Sequence, residues 1–132
     1  MRPIPIGARG TFSMQVLPQH LASQFKDTIL PAVFATPMMV LAMENAALNA
    51  IKPYLDVGES AVGTGINIKH LAATPAGHRV EAEAIVNNVQ GRQIEFAVSA
   101  RDETEEIGRG AHTRMVVDME RLKKRLEAKR KG

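Results

Sequence analysis

Residues 36–51 read TPMMVLAMENAALNAI, and this segment indicates a helix that is apolar on nearly every side. Thr36 can cap the free backbone N–H groups of the first turn, and Pro37 fits the first helical position. Proline and glycine downstream predict that the helix ends near Ile51 or Leu55. Beyond the first turn only one glutamate and two asparagines are polar. A helix of this composition is buried, so the rest of the chain is expected to surround it.

Segments with an apolar residue at every second position flank this helix, which is the spacing of half-buried β-strands. One precedes the helix and four follow it, at residues 11–17, 61–73, 79–86, 94–100 and 107–117. One face of the strand 61–73 is predicted to carry Val62, Thr64, Ile66, Ile68, His70 and Ala72. Gln90–Gly91–Arg92 is predicted to be a turn, and Asp118 is predicted to cap a C-terminal amphipathic helix.

The order is therefore one strand, a buried helix, four consecutive strands and a tail helix. Antiparallel strands with one segregated helix are typical of an α+β domain. One central helix wrapped by a curved sheet is the architecture that this order most resembles, namely the hotdog fold. The chain has 132 residues and shows no internal repeat or linker, so a single domain is expected.

The charge of the chain is unevenly distributed. The formal net charge is +3, but residues 120–132 hold seven Lys or Arg and two Glu, a balance of +5, which leaves −2 for the body. A solvated C-terminal helix is the simpler interpretation of this basic tail, and nucleic-acid binding the alternative. One Tyr, four Phe and no Trp offer few surfaces for base stacking, so a nucleic-acid partner is not expected.

Composition also narrows the possible chemistry. The absence of cysteine excludes disulfides, thiol catalysis and Cys-ligated metals. The histidines show no metal-ligand spacing, so no metal site is predicted. They are His20, His70, His78 and His112. The first ten residues lack the apolar core of a signal peptide, and the apolar stretch before Glu44 is too short to span a membrane. A cytoplasmic protein without a membrane partner is expected.

Glu44 is the one charge on the apolar helix, and sixteen uncharged residues separate it from Asp27. Burying an unpaired carboxylate costs several kcal/mol, so Glu44 needs either a partner or a function. It can neutralise a buried Arg or His, orient His70, or act as a nucleophile or base. The residues alone leave these roles open.

Thr36 and His70 are the other candidates for catalysis. His70 is expected to point towards the apolar helix, where it is either a satisfied core histidine or a proton acceptor at neutral pH. Thr36 is either a simple cap or part of a site at the positive end of the helix, where backbone N–H groups can stabilise an oxyanion.

The remaining candidate site residues are two glycines on one strand and a histidine–arginine pair on another. Gly63 and Gly65 inside a strand indicate close approach of a neighbour or ligand, or else a weakened strand edge. His112 and Arg114 share one face of the last strand, and Arg114 can pair with a carboxylate or a phosphate-bearing ligand.

Three stretches resemble the hotdog-fold acyl-CoA thioesterases, and most closely the fluoroacetyl-CoA thioesterase group. They are VFATPMMVLAMENAAL at 33–48, IKPYLDVGESAVGTGINIKHLAATPAG at 51–77 and EEIGRGAHTRMVVD at 105–118. The resemblance implies one hotdog thioesterase-like domain over residues 1–132, with 118–132 as a basic C-terminal helix. It also implies a catalytic set of Thr36, Glu44 and His70. Gly63 matches a glycine that contacts substrate, and Arg114 matches an arginine associated with the active site.

The chain departs from this group at the position of its phenylalanine gate, where it reads Asp27-Thr28-Ile29-Leu30 without an aromatic residue. A general acyl-CoA thioesterase is therefore the expectation, rather than one specific for a fluorinated acyl group. The resemblance further implies a homodimer with active sites at the subunit interface. Thr36 and Glu44 of one chain could then meet His70 of the other.

The sequence thus predicts hydrolysis of a short or medium acyl-CoA thioester to a free acid and CoA. No cofactor is expected beyond the CoA that belongs to the substrate. A non-catalytic acyl-CoA-binding or regulatory module on the same fold is the alternative, and it would bind acyl-CoA without hydrolysis. A nucleic-acid-associated protein acting through residues 121–132 is a third possibility, which the acidic body disfavours.

Overall fold

The computed structural model describes residues 1–132 and has the predicted order of elements. Five strands, three α-helices and two 3₁₀ turns follow one another along the chain. They are β1 (Arg9–Gln15), a 3₁₀ turn (Pro18–His20), α1 (Ala22–Phe25), α2 (Thr36–Ile51), a 3₁₀ turn (Lys52–Tyr54), β2 (Glu59–His70), β3 (Arg79–Gln90), β4 (Gln93–Arg101), β5 (Glu106–Asp118) and α3 (Met119–Lys131). The two short turns and α1 occupy connections that carry no clear periodicity.

The five strands form one antiparallel sheet in the order β1-β3-β4-β5-β2. The predicted turn joins β3 to β4, where Gly91 adopts a φ of 60° that an L side chain rarely tolerates. Strands β1 and β2 lie at the two edges. The outer edge of β2 pairs with no other strand of the chain.

The core lies between α2 and the concave face of the sheet. Seven residues of α2 are buried, and four of them are alanines, so the helix axis can approach the sheet closely. The inward rows predicted for β3 and β4 are confirmed. They are Val80, Ala82, Ala84, Val86, Ile94, Phe96, Val98 and Ala100. This α+β arrangement of a sheet curled around one long helix confirms the predicted fold class.

Gly10 of β1 marks the closest approach of α2 to the sheet. A Cβ at this position would overlap the backbone of Ala46 and Ala50, and it would lie 2.8 Å from Ala50 Cα. The helix therefore packs directly on the main chain of β1.

The prediction that Thr36 caps α2 is wrong. Ala35 occupies the capping position with an extended backbone, and no side chain accepts a hydrogen bond there. Thr36 is the first helical residue, which leaves its hydroxyl free for another partner. The helix ends at Ile51, the earlier of the two predicted ends.

The predicted face of β2 is wrong in its first half. The pairing of β2 with β5 shifts register between Gly63 and Gly65, as at a β-bulge. Val62 is consequently 38% exposed while its neighbour Ala61 is 5% exposed. Thr64 also faces outward, because its hydroxyl donates to Thr113 Oγ1 at 2.9 Å. After the bulge Ile66, Ile68 and His70 return to the predicted face, and the strand ends at His70 rather than at residue 73.

The C-terminal helix α3 lies outside the core. The Asp118 carboxylate accepts a hydrogen bond from the backbone N–H of Arg121 at 3.0 Å, as predicted for a cap. None of the residues of α3 is buried. No helix in the chain has both the length and the apolar character needed to cross a bilayer.

Candidate active site

Thr36 and His70 meet at the N-terminal end of α2. Thr36 Oγ1 lies 2.8 Å from His70 Nδ1. The pair forms because Ala35 takes the capping position and because β2 ends with His70 facing the helix. The contact lies within one chain, so Thr36 needs no second subunit to reach His70. This corrects the expectation that Thr36 meets His70 of a partner chain.

His70 has the electrostatic character of a base. Burial holds the pKa of His70 below its usual value, and the nearby Ala72 backbone offsets this only in part. The ring is therefore neutral at neutral pH. With the Thr36 hydroxyl donating to Nδ1, the ring proton is on Nε2, which is buried and has no hydrogen-bond partner in the chain.

Glu44 lies eight residues along α2 from Thr36, which is about 12 Å at the rise of an α-helix. Its side chain is 41% exposed, and Oε2 lies 3.6 Å from Arg114 Nη1. Glu44 is therefore half-exposed, and of the roles left open for it the structure shows the pairing with a buried arginine. Within one chain Glu44 does not join Thr36 and His70.

Around Glu44 the structure gathers Gly63, His112 and Arg114. Arg114 is buried, and its Nη2 donates to the Ala61 carbonyl at 2.7 Å. Its Nη1 donates to His112 Nε2 at 3.1 Å. A Cβ at Gly63 would lie 3.0 Å from Glu44 Oε2 and 3.6 Å from Arg114 Nη1, so glycine keeps this approach open.

His112 is the site residue that the sequence did not assign. It is buried, and its Nδ1 lies 2.7 Å from the carbonyl oxygen of Gly65 in the bulge of β2. The available signal was its position two residues before Arg114, which places both on one face of β5.

Two small clefts open beside β2 at these two clusters. One of about 290 Å³ is lined by Val33, His70, Leu71, Ala72 and Ala73. The other, of about 200 Å³, is lined by Glu44, Gly63, Thr64, Gly65, Ile66 and His112. A larger groove of about 490 Å³ lies elsewhere, between β5 and α3, and is lined by three arginines, four apolar residues and Asp118, whose carboxylate caps α3. All five candidate site residues except Thr36 and Arg114 line the two clefts at β2.

The fold and the site together define a hotdog-fold thioesterase. A hot-dog-like protein from Thermanaerovibrio acidaminovorans has the same fold, with a TM-score of 0.85 at 21% identity over 96% of this chain and 93% of that one. A Thermus thermophilus member of the thioesterase superfamily superposes with a TM-score of 0.83 at 31% identity, over 97% of this chain and 99% of the other.

The family model of the fluoroacetyl-CoA-specific thioesterase FlK matches residues 16–120. The chain is 39% identical to the fluoroacetyl-CoA thioesterase of Streptantibioticus cattleyicolor over 129 residues, which cover 94% of this chain and 93% of the relative. The solved structure of FlK superposes with a TM-score of 0.90 at 36% identity, over 96% of this chain and 98% of that one. The chain therefore belongs to the fluoroacetyl-CoA-specific thioesterase family.

Proposed function

We propose that the protein hydrolyses a short or medium acyl-CoA thioester to a free acid and CoA. The observation that carries the proposal is the contact between the Thr36 hydroxyl and Nδ1 of a neutral, half-buried His70. Mutants of the relative FlK have been solved with fluoroacetate and CoA and with acetyl-CoA. Short acyl-CoA thioesters are accordingly the substrates to test first.

In the proposed reaction His70 Nδ1 takes the proton of the Thr36 hydroxyl as Thr36 Oγ1 attacks the thioester carbonyl. A C–O bond forms, the C–S bond breaks, and the proton passes from His70 to the departing CoA sulfur. His70 then deprotonates a water molecule that attacks the acyl-threonine ester, which releases the acid and restores the hydroxyl. The first backbone N–H groups of α2 lie at the positive end of the helix and favour the oxyanion of each step.

We further propose that the active unit is a homodimer in which Glu44 of the partner subunit lies beside the Thr36–His70 pair. Two features support this arrangement. The side chain of Glu44 is 41% exposed, and the cleft at His70 shares no lining residue with the cleft at Glu44, so the two groups are separate within one chain. A carboxylate close to the ring would stabilise the imidazolium that forms during the reaction, as in other catalytic triads.

The outer edge of β2 is the surface proposed for the dimer contact. This edge strand has twelve residues and no second neighbour, and Ile66 is 44% exposed on it. A two-fold partner would continue the sheet by antiparallel pairing of the two β2 strands. Gly63 and Arg114 would then lie near the acyl group, as residues that bind substrate and orient Glu44.

Release of free thiol from a panel of substrates, from acetyl-CoA to octanoyl-CoA, tests the activity. The wild type is expected to turn over at least one of them. His70→Ala should lower kcat by about 100-fold or more, because it removes the base. His78→Ala removes a histidine outside both clefts and is the matched control, expected to keep wild-type rates.

If no thioester is cleaved but acyl-CoA binds saturably, the protein is the non-catalytic acyl-CoA-binding module that the sequence left as an alternative. If His70→Ala and His78→Ala behave alike, the assignment of His70 is refuted while the activity stands.

A further inference from the structure

His112 bridges the bulge of β2 and the guanidinium of Arg114 at the base of the Glu44 cleft. We propose that His112 is a positioning residue of the active site, which acts by holding Arg114 against the Glu44 carboxylate. This inference rests on the proposed role of Glu44 in thioester hydrolysis.

The hydrogen bonds of His112 fix its tautomer. The Gly65 carbonyl can only accept, so the nitrogen 2.7 Å away from it, Nδ1, carries the proton. Arg114 has no acceptor, so Nε2, at 3.1 Å from Arg114 Nη1, supplies a lone pair. Only the neutral ring protonated on Nδ1 satisfies both partners at once.

His112 also determines where the Arg114 guanidinium points. Nη2 is held by the Ala61 carbonyl, and Nε is buried without a hydrogen-bond partner. The second anchor is His112, and it binds the same Nη1 that lies 3.6 Å from Glu44 Oε2. Without the imidazole, one hydrogen bond would hold the planar group, and the guanidinium could rotate away from Glu44.

Few charged groups surround the imidazole ring of His112. Phe96 of β4 stacks on the ring with a centroid distance of 5.8 Å. Strand β2 contributes the uncharged Gly65 and, in register opposite His112, Ile66. The only charged groups facing the ring are Glu44 from α2 and Arg114 on β5.

Protonation of His112 at low pH should therefore break its hydrogen bond with Arg114. Burial lowers the pKa of His112, the Gly65 carbonyl raises it, Arg114 lowers it and Glu44 raises it, with a net shift below the usual value. The ring is neutral at neutral pH. When it is protonated at lower pH, Nε2 becomes a donor that faces the Arg114 cation, and the hydrogen bond to Arg114 is lost.

The test compares His112→Phe with His112→Gln in the full-length protein. Phenylalanine keeps the stacking on Phe96 but removes both hydrogen bonds, so kcat should fall about tenfold with little change in KM. Glutamine offers one donor and one acceptor and should recover part of the loss. His112→Phe should also remove the contribution of this ring to the acid limb of the kcat profile.

A double-mutant cycle separates positioning from a general loss of structure. If His112 acts through Glu44, adding His112→Phe to Glu44→Gln should cause no further loss of kcat. Independent losses that multiply would overturn the proposal.

The nitrogen NMR spectrum of the wild type provides a readout that needs no turnover. It should show His112 neutral and protonated on Nδ1 at pH 7. An Nε2-protonated or charged ring would refute the positioning role. If the tautomer is as expected but no thioester is cleaved, the proposed function fails on its own.

Discussion

At the scale of single residues, the site depends on a hydroxyl that is not used as a helix cap. Ala35 lies at the capping position, and the Thr36 hydroxyl donates to His70 Nδ1 at 2.8 Å instead. The sequence identified both residues but assigned Thr36 the local role, because Thr before Pro is a common capping signal. Local preference was overridden by a partner 34 residues away in the chain.

Gly63 provides a prediction at this scale. Gly63→Ala would place a Cβ 3.0 Å from Glu44 Oε2, and the half-exposed carboxylate would give way more readily than the buried Arg114. We expect the free energy of unfolding to change by about 1 kcal/mol or less. Displacement of the carboxylate should lower kcat/KM about tenfold.

Val62→Ala is the matched control for Gly63→Ala. It changes the adjacent residue on the outer face of β2 and leaves the Glu44 carboxylate untouched. Kinetic assays and urea unfolding of both variants would settle the matter. A loss of stability in Gly63→Ala as large as the loss of activity would contradict the prediction.

At the scale of elements, the bulge in β2 explains why Val62 and Thr64 were predicted on the wrong face of the strand. A period of two holds only while each residue advances the pleat by one step, and a bulge adds one residue. Gly63 and Gly65 carried the signal, because glycine within a strand often marks a bulge. The buried faces of β3 and β4 were predicted correctly. Both strands alternate strictly between apolar and polar residues, and each is paired with a strand on both sides.

The packing of α2 on β1 gives the prediction at this scale. Gly10→Ala would drive a Cβ into the backbone of Ala46 and Ala50, and neither main chain can move as a side chain can. We expect a loss of about 3 kcal/mol in the free energy of unfolding, measured by urea denaturation.

Ser13→Ala is the matched control, because Ser13 lies on the other face of β1. It tests whether any substitution in this strand lowers the free energy of unfolding as much as Gly10→Ala does. Ser13 makes one long hydrogen bond of 3.4 Å to Glu81, so its removal should cost about 0.5 kcal/mol or less. Equal losses in the two variants would show that helix packing is not the cause.

At the scale of the whole molecule, the order of elements was predictable because each follows from local periodicity and turn residues. The grouping of the site residues was not. Thr36 and Glu44 share one helix, and the sequence offers no measure of which partner each one finds across the sheet. The family resemblance identified the candidate set, while the split into a Thr36–His70 pair and a Glu44–Arg114 pair emerged only from the three-dimensional arrangement.

Complementation between inactive chains tests the proposed dimer. In a heterodimer of a Glu44→Gln chain and a His70→Ala chain, one site would hold an intact Thr36–His70 pair and an intact Glu44 from the other chain. Such heterodimers, purified through two different affinity tags, should regain about half of the wild-type rate. The parent homodimers should keep only a small residual rate.

The matched control combines Thr36→Ala with His70→Ala. Because these two residues belong to the same half of the site, each site of that heterodimer lacks one of them and no rate should return. Recovery in neither combination would mean that Glu44 does not act across the subunit boundary.

The solvent exposure of helix α3 has a consequence for how freely this end of the chain can be altered. Natural selection can act on a residue through packing only where a substitution leaves a void or a clash, and none of the residues Met119–Lys131 is buried. Drift in the length, composition and charge of this tail therefore carries almost no folding penalty, whereas drift at Gly10 does. A label or affinity tag attached at the C-terminus is therefore expected to leave the packing of α2 on the sheet unchanged.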